Sequence, residues 1–191
     1  MNMAAWMMWR FFGSRQFAVS VLCCLFMHAG MAEDAAPRGG AEQRAQAVTQ
    51  VVLGILSYAR WPVEPAQLRL CIVGPTQYTD DLVKGTTQAS GRPVLVQRLL
   101  ASNPAVGDSC DAVYIGQLSS NERNQLFASL AGHAVLSISE EGDHCVVGSL
   151  FCLRVGDEQV AFEVNLDSVA RSGVRIHPSV LQLSRRRAPQ P

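Results

Sequence analysis

The stretch L-R-L-C-I-V-G-P, residues 68–75, is a short run of branched apolar side chains that stops on Gly-Pro. An apolar run of this length, bounded by turn residues, reads as a strand buried on both faces, and such strands belong to parallel sheets covered by helices. Upstream, Ala47, Val48, Val51, Val52, Ile55, Leu56 and Ala59 recur at helical spacing, so Arg44–Arg60 is expected to be an amphipathic helix. Trp61-Pro62 ends it, because proline disfavours helical geometry in the residue before it. Downstream, the same rhythm repeats. A short helix is expected over Thr76–Lys84 with Thr76 as cap, then strands over 93–100 and 110–118. A helix follows over about 121–131, capped by Ser120 and stopped by Gly132, and then a strand over 134–139.

After residue 140 the pattern changes. S-L-F-C-L-R-V (149–155) and Q-V-A-F-E-V-N (159–165) alternate and are joined by Gly156-Asp157-Glu158, which is a hairpin signal. Asp167 or Ser168 is placed to cap a short helix ending near Gly173, and Pro178 or Ser179 to open a last one carrying Val180, Leu181 and Leu183. Strand–helix alternation followed by a hairpin predicts an α/β fold. Its three layers are a mostly parallel sheet with helices on both faces, and the C-terminal antiparallel hairpin lies at one edge.

Residues 1–32 carry Arg10 and Arg15 as their only charges, a short apolar run from Phe17 to Phe26, and small residues leading to Ala32. That is the layout of a secretory signal peptide, and the apolar run falls short of the roughly 20 residues that a membrane span needs. The competing reading is an uncleaved anchor. Cleavage near Ala32 leaves 159 of the 191 residues, with 14 of the 16 basic side chains and all 16 acidic ones. Nothing in that balance points to nucleic acid. The expected organisation is a signal peptide (1–32), a flexible polar leader (33–43), one α/β domain (44–184) and a disordered tail (185–191).

Export removes Cys23 and Cys24 and leaves Cys71, Cys110, Cys145 and Cys152, an even set in an oxidising compartment, so disulfides are expected. Three pairings are possible. A Cys145–Cys152 bridge closes a short loop and a Cys71–Cys110 bridge a long one, with loop-closure gains of about 2.5 and about 4 kcal/mol. A zinc site is the rival; it needs His144 or His133, and the spacing matches no common zinc pattern.

Catalytic signatures are missing from the sequence. G-P-T-Q-Y-T-D-D after the first strand has neither G-x-G-x-x-G nor a P-loop lysine, and there is no G-x-S-x-G elbow. His133, His144 and His177 are not spaced beside a nucleophile. The chain therefore reads as a binding module rather than an enzyme, with no catalytic residue, metal or cofactor assigned. Trp61 is either a packing anchor or a partner contact. Leu150 and Phe151 are the other partner-contact candidates, since strand alternation turns one of them outward. Arg60, Glu163, Arg175 and His177 stand at the ends of apolar elements and are candidates for a rim that takes a small anion or amino acid.

The segments A-R-W-P (59–62), L-R-L-C-I-V-G (68–74), C-D-A-V-Y-I-G (110–116), A-V-L-S-I-S-E (134–140) and V-A-F-E-V-N-L-D-S-V-A-R-S-G-V-R-I-H-P-S-V-L-Q-L (160–183), in this order, resemble the YfiR family of periplasmic proteins. The resemblance covers nearly all of 44–184. It implies a periplasmic repressor of a membrane-anchored diguanylate cyclase of the YfiN type, sequestered in turn by an outer-membrane lipoprotein of the YfiB type. Cyclic di-GMP and biofilm would then be the outputs. Cys71 and Cys110 fall on the family's matching cysteine positions, on strands that are neighbours in such a sheet. Cys145 and Cys152 stand where members more often show a glycine-rich link, so this second bridge rests on compartment, the even count and the freedom of Gly148. Being short and local, it is the candidate for redox sensitivity. The apolar face of the 44–60 helix is broad enough to suggest a homodimer.

Overall fold

The computed structural model describes residues 36–140, 148–157 and 159–185. The expected signal peptide, most of the tail, His144 and Cys145 lie outside them. The chain separates into two units, Met1–Pro37 and Arg38–Pro191, and the described fold belongs to the second. No described helix is long and apolar enough to cross a membrane.

The elements run α1 (Ala36–Tyr58), β1 (Ala59–Arg60), β2 (Leu68–Val73), β3 (Thr86–Thr87), β4 (Pro93–Leu99), α2 (Val106–Ser109), β5 (Ala112–Ile115), α3 (Ser120–Leu130), β6 (Leu136–Ser139), β7 (Phe151–Val155), β8 (Val160–Val164), α4 (Leu166–Arg171) and β9 (Arg175–Ile176). Turns of 3₁₀ helix occupy Leu82–Lys84 and Pro178–Arg185. One seven-stranded sheet has the order β3-β4-β2-β5-β6-β7-β8. Its five central strands are parallel, while β3 and β8 are antiparallel at the two edges. The predicted α/β class, the mostly parallel sheet and the late hairpin are all present.

Alternation along the strands divides the core in two. Leu68, Leu70 and Ile72 of β2, Tyr114 of β5, Ile138 of β6 and Phe151 of β7 pack with Val48, Val52, Ile55 and Leu56 of α1. The opposite faces of β2 and β5, with Cys71, Val73, Val113 and Ile115, pack with Leu126 of α3 and Val106 of α2. Strands buried on both faces need such near-continuous apolar runs.

Four local expectations change. The first helix begins at Ala36, inside the stretch read as a leader, and it ends at Tyr58. Ala59 and Arg60 leave it to pair antiparallel with Ile176 and Arg175 of β9, a two-residue ladder too short to carry a sequence period. Thr76–Lys84 is a turn followed by 3₁₀ helix, because the Gln77 and Tyr78 amides are given to the Glu140 carboxylate and Leu82 is drawn into the core. The cap of α3 is Ser119, in a complete capping box with Glu122. The Glu122 carboxyl is held below its ordinary pKa by the Ser119 hydroxyl and amide. The cap of α4 is Asn165.

The C-terminal segment closes over α1. Val180 is buried, and a Cβ placed on Gly54 would meet Leu183 Cδ1 at 2.8 Å. The large apolar side chains of α1 are thus buried or half-buried against the sheet and this segment, so the helix does not supply the surplus apolar face from which a homodimer was expected. Overpacking this contact has a predictable result. Gly54→Val pushes the Leu183 side chain off α1 and exposes the segment after Arg175 to trypsin. An unchanged digestion pattern would show that Leu183 does not hold the segment down.

Candidate functional site

In an open parallel sheet, ligands gather at the carboxyl ends of the strands where the chain order reverses. Here that point lies between β2 and β5, since β4 follows β2 on one side and β5 follows on the other. The point is filled by the chain itself. The Gly116 amide donates to Val73 O (2.9 Å), the Gln117 amide to Pro75 O (2.8 Å) and the Glu140 amide to Ile115 O (2.8 Å), knitting the three strand ends together. A Cβ on Gly116 would lie 1.9 Å from Pro75 O, so only glycine fits. Glu140, at the end of β6, is buried. Its Oε1 accepts from the Gln77 and Tyr78 amides, both at 2.8 Å, and from the Tyr114 hydroxyl at 3.2 Å; Oε2 lies 3.0 Å from the Gln77 amide. Burial first, and then the Glu140 charge and hydrogen bond, push the Tyr114 phenol far above its ordinary pKa, so it stays a donor. Arg98 of β4 donates to Thr79 Oγ1 (3.0 Å), adding a cation to the same turn.

Elsewhere on the sheet, Cys71 of β2 and Cys110 form a disulfide with a Cα–Cα distance of 5.9 Å. An ionic clamp runs beside it. The Asp111 carboxylate accepts from the Arg69 amide (2.8 Å), Nε (3.1 Å) and Nη2 (2.8 Å), a fork that adds geometric precision to charge. The hydrogen bond to Asp111 raises the Arg69 pKa, offset in part by burial. Asp111 O accepts from Trp61 Nε1 (2.9 Å) and from the Leu136 amide (3.0 Å), which ties the end of the α1–β1 unit to the sheet.

The sequence candidates fall into groups. Trp61 is 4 % exposed and packs in the core. Leu150 and Phe151 are also both buried on the α1 side. The expectation that one would face outward fails because Leu150 precedes β7. Its amide turns to Ser137, so strand alternation does not apply to the pair. Phe151 meets Phe162 edge to face at 5.6 Å.

Arg60, Arg175 and His177 do come together. Arg60 and Arg175 are directly opposed in the β1–β9 ladder, and the His177 ring stacks on Tyr58 at 6.2 Å. Arg60 Nη1 donates to Ser57 O and Ala59 O, neutralising the negative end of α1. Glu163 is instead on β8, paired with Arg154. Cys152 is buried and disulfide-bonded; its expected partner Cys145 is outside the described residues. Three serines, Ser137, Ser139 and Ser149, lie buried between β6 and β7, with Ser139 and Ser149 hydrogen-bonded to each other. Sequence reading singled out neither Glu140 nor Asp111. The available signal was an acid ending the apolar run A-V-L-S-I-S-E and another opening C-D-A-V-Y-I-G.

Two comparisons bear on this fold. A solved structure of a conserved domain protein from Vibrio cholerae O1 biovar El Tor str. N16961 superposes with a TM-score of 0.51 at 11 % identity, over 75 % of this chain and 59 % of that one. At that identity the likeness is one of fold. The chain spans less than two thirds of that protein. The profile of a family described as YfiR/HmsC-like (DUF4154) matches residues 45–185, which takes in every strand of the sheet, the Cys71–Cys110 bridge and the closing C-terminal segment. The chain belongs to the YfiR/HmsC-like family.

Proposed function

We propose that this protein is a periplasmic repressor that binds the periplasmic region of an inner-membrane diguanylate cyclase of the YfiN type and holds cyclic di-GMP synthesis down. A lipoprotein of the YfiB type relieves the repression by sequestering it. The observation that carries the reading is the family match over 45–185, a family of regulators of cyclase signalling rather than of catalysts. The signal-peptide pattern of residues 1–32 and the Cys71–Cys110 bridge agree with an exported protein. In a strain carrying such a cyclase, deleting the gene raises cyclic di-GMP and biofilm, and membranes containing the cyclase retain the tagged protein. Unchanged cyclic di-GMP on deletion would sink the reading. A Cys145–Cys152 bridge, checked by non-reducing peptide mapping, belongs to the same proposal as its redox-sensitive element.

A second reading, a receptor for a small anion or amino acid, draws on one observation: exposed Arg60 and Arg175 stand opposite each other in the β1–β9 ladder, with exposed His177 the first residue after β9, and two like charges so placed would gain from an anion between them. Crystals soaked with amino acids and nucleotides separate the two readings.

A further inference from the structure

The Gln77–Tyr78 turn has the chemistry of a ligand site and is already occupied. Successive backbone amides in a turn form a concave anion seat. This one donates to both oxygens of a single carboxylate, with contacts of 2.8, 2.8 and 3.0 Å, and the Tyr114 hydroxyl adds a fourth contact at 3.2 Å. It lies at the switch point of the sheet, where this topology places its ligands. The occupant is Glu140, which reaches the turn from 63 residues along the chain.

We propose that the Gln77–Tyr78 turn, completed by Tyr114, is a carboxylate-binding site whose resident ligand is the chain's own Glu140, and that it takes a small free monocarboxylate when that side chain is withdrawn. The seat selects a planar ion. The backbone beside it is closely packed, with Pro75 O against Gly116 and Gln117 O 2.7 Å from where a Cβ on Gly74 would stand. The consequence for the native protein is that its switch-point crevice is shut from within.

The test is chemical rescue of Glu140→Ala in the full exported chain. In chloride the variant melts below the wild type. Replacing roughly 0.2 M sodium chloride by sodium formate raises its melting temperature by several degrees, because a ligand that binds only the folded state stabilises it. The wild type does not respond, and sulfate moves both proteins alike. Equal shifts in formate and chloride, or the same formate shift in the wild type, would overturn the proposal. If Glu140→Ala does not fold in chloride, recovery of soluble protein on refolding in formate but not in chloride is the supporting result. Recovery in neither leaves the decision to hydrogen exchange in the wild type. There the Gln77 and Tyr78 amides must be protected at least about 100-fold, as donors in a closed structure are; fast exchange of both would refute the seat.

Discussion

Replacing Cys71 and Cys110 together by alanine lowers the stability of the domain by about 4 kcal/mol, the largest single loss expected from any one crosslink in it. The bridge closes a loop across 39 positions, and that loop contains β3, β4 and α2. In the unfolded chain this is a substantial restriction, so removing it frees an ensemble rather than breaking a native contact. The folded state does not lose its register. Arg69 still forks onto Asp111, and β2 still pairs with β5 from Leu70↔Ala112 to Val73↔Ile115. Urea unfolding should therefore show an unchanged near-UV signal at zero denaturant and a midpoint shifted down, and dithiothreitol should bring the wild type toward the same midpoint. A midpoint unmoved by the double substitution would mean that the bridge is not formed in the exported protein. In the cell, the expected phenotype is reduced abundance and, under the function proposed above, unchanged repression per molecule.

The centre of the sheet was legible because β2, β5 and β6 are buried on both faces. An apolar run such as Leu68–Gly74 has few other destinations, and the turn residues that bound it mark its ends. The edge hairpin was legible from alternation, with Arg154 and Glu163 outward and Leu153 and Phe162 inward. What the sequence concealed is held by tertiary partners. β1 and β9 are two residues each and exist only because Ala59–Arg60 leaves α1 beside Arg175–Ile176. The turn after β2 has helical composition, but its amides are claimed by a carboxylate far along the chain, so local propensity loses to a buried charge that must be satisfied. The same asymmetry governs the candidate site residues. Arg60, Arg175 and His177 could be grouped by their places at the ends of elements, and they do meet; Glu163 could not be separated from them until β8 was seen to pair it with Arg154.

Trp61→Ala is expected to cost about 3–5 kcal/mol, the range for removing a large buried aromatic side chain, and it decides between the two roles that a tryptophan in A-R-W-P can play. The ring is buried in the core cluster that α1 shares with the sheet, and its Nε1 is the donor to Asp111 O. Truncation empties that junction. It also removes one of two hydrogen bonds from a carbonyl that keeps the Leu136 amide as its other donor. Because that carbonyl is not orphaned, Trp61→Phe should recover most of the loss and remain below wild type by only about 1 kcal/mol, the net worth of one buried hydrogen bond. The pair of variants is diagnostic. An anchor loses stability in the order wild type, Phe, Ala, and any loss of cyclase repression follows the fraction folded. A partner contact would leave the melting curve of Trp61→Ala near wild type while abolishing retention on cyclase membranes. Thermal unfolding and membrane retention measured on the same preparations distinguish the outcomes. The burial of the ring commits the prediction to the first.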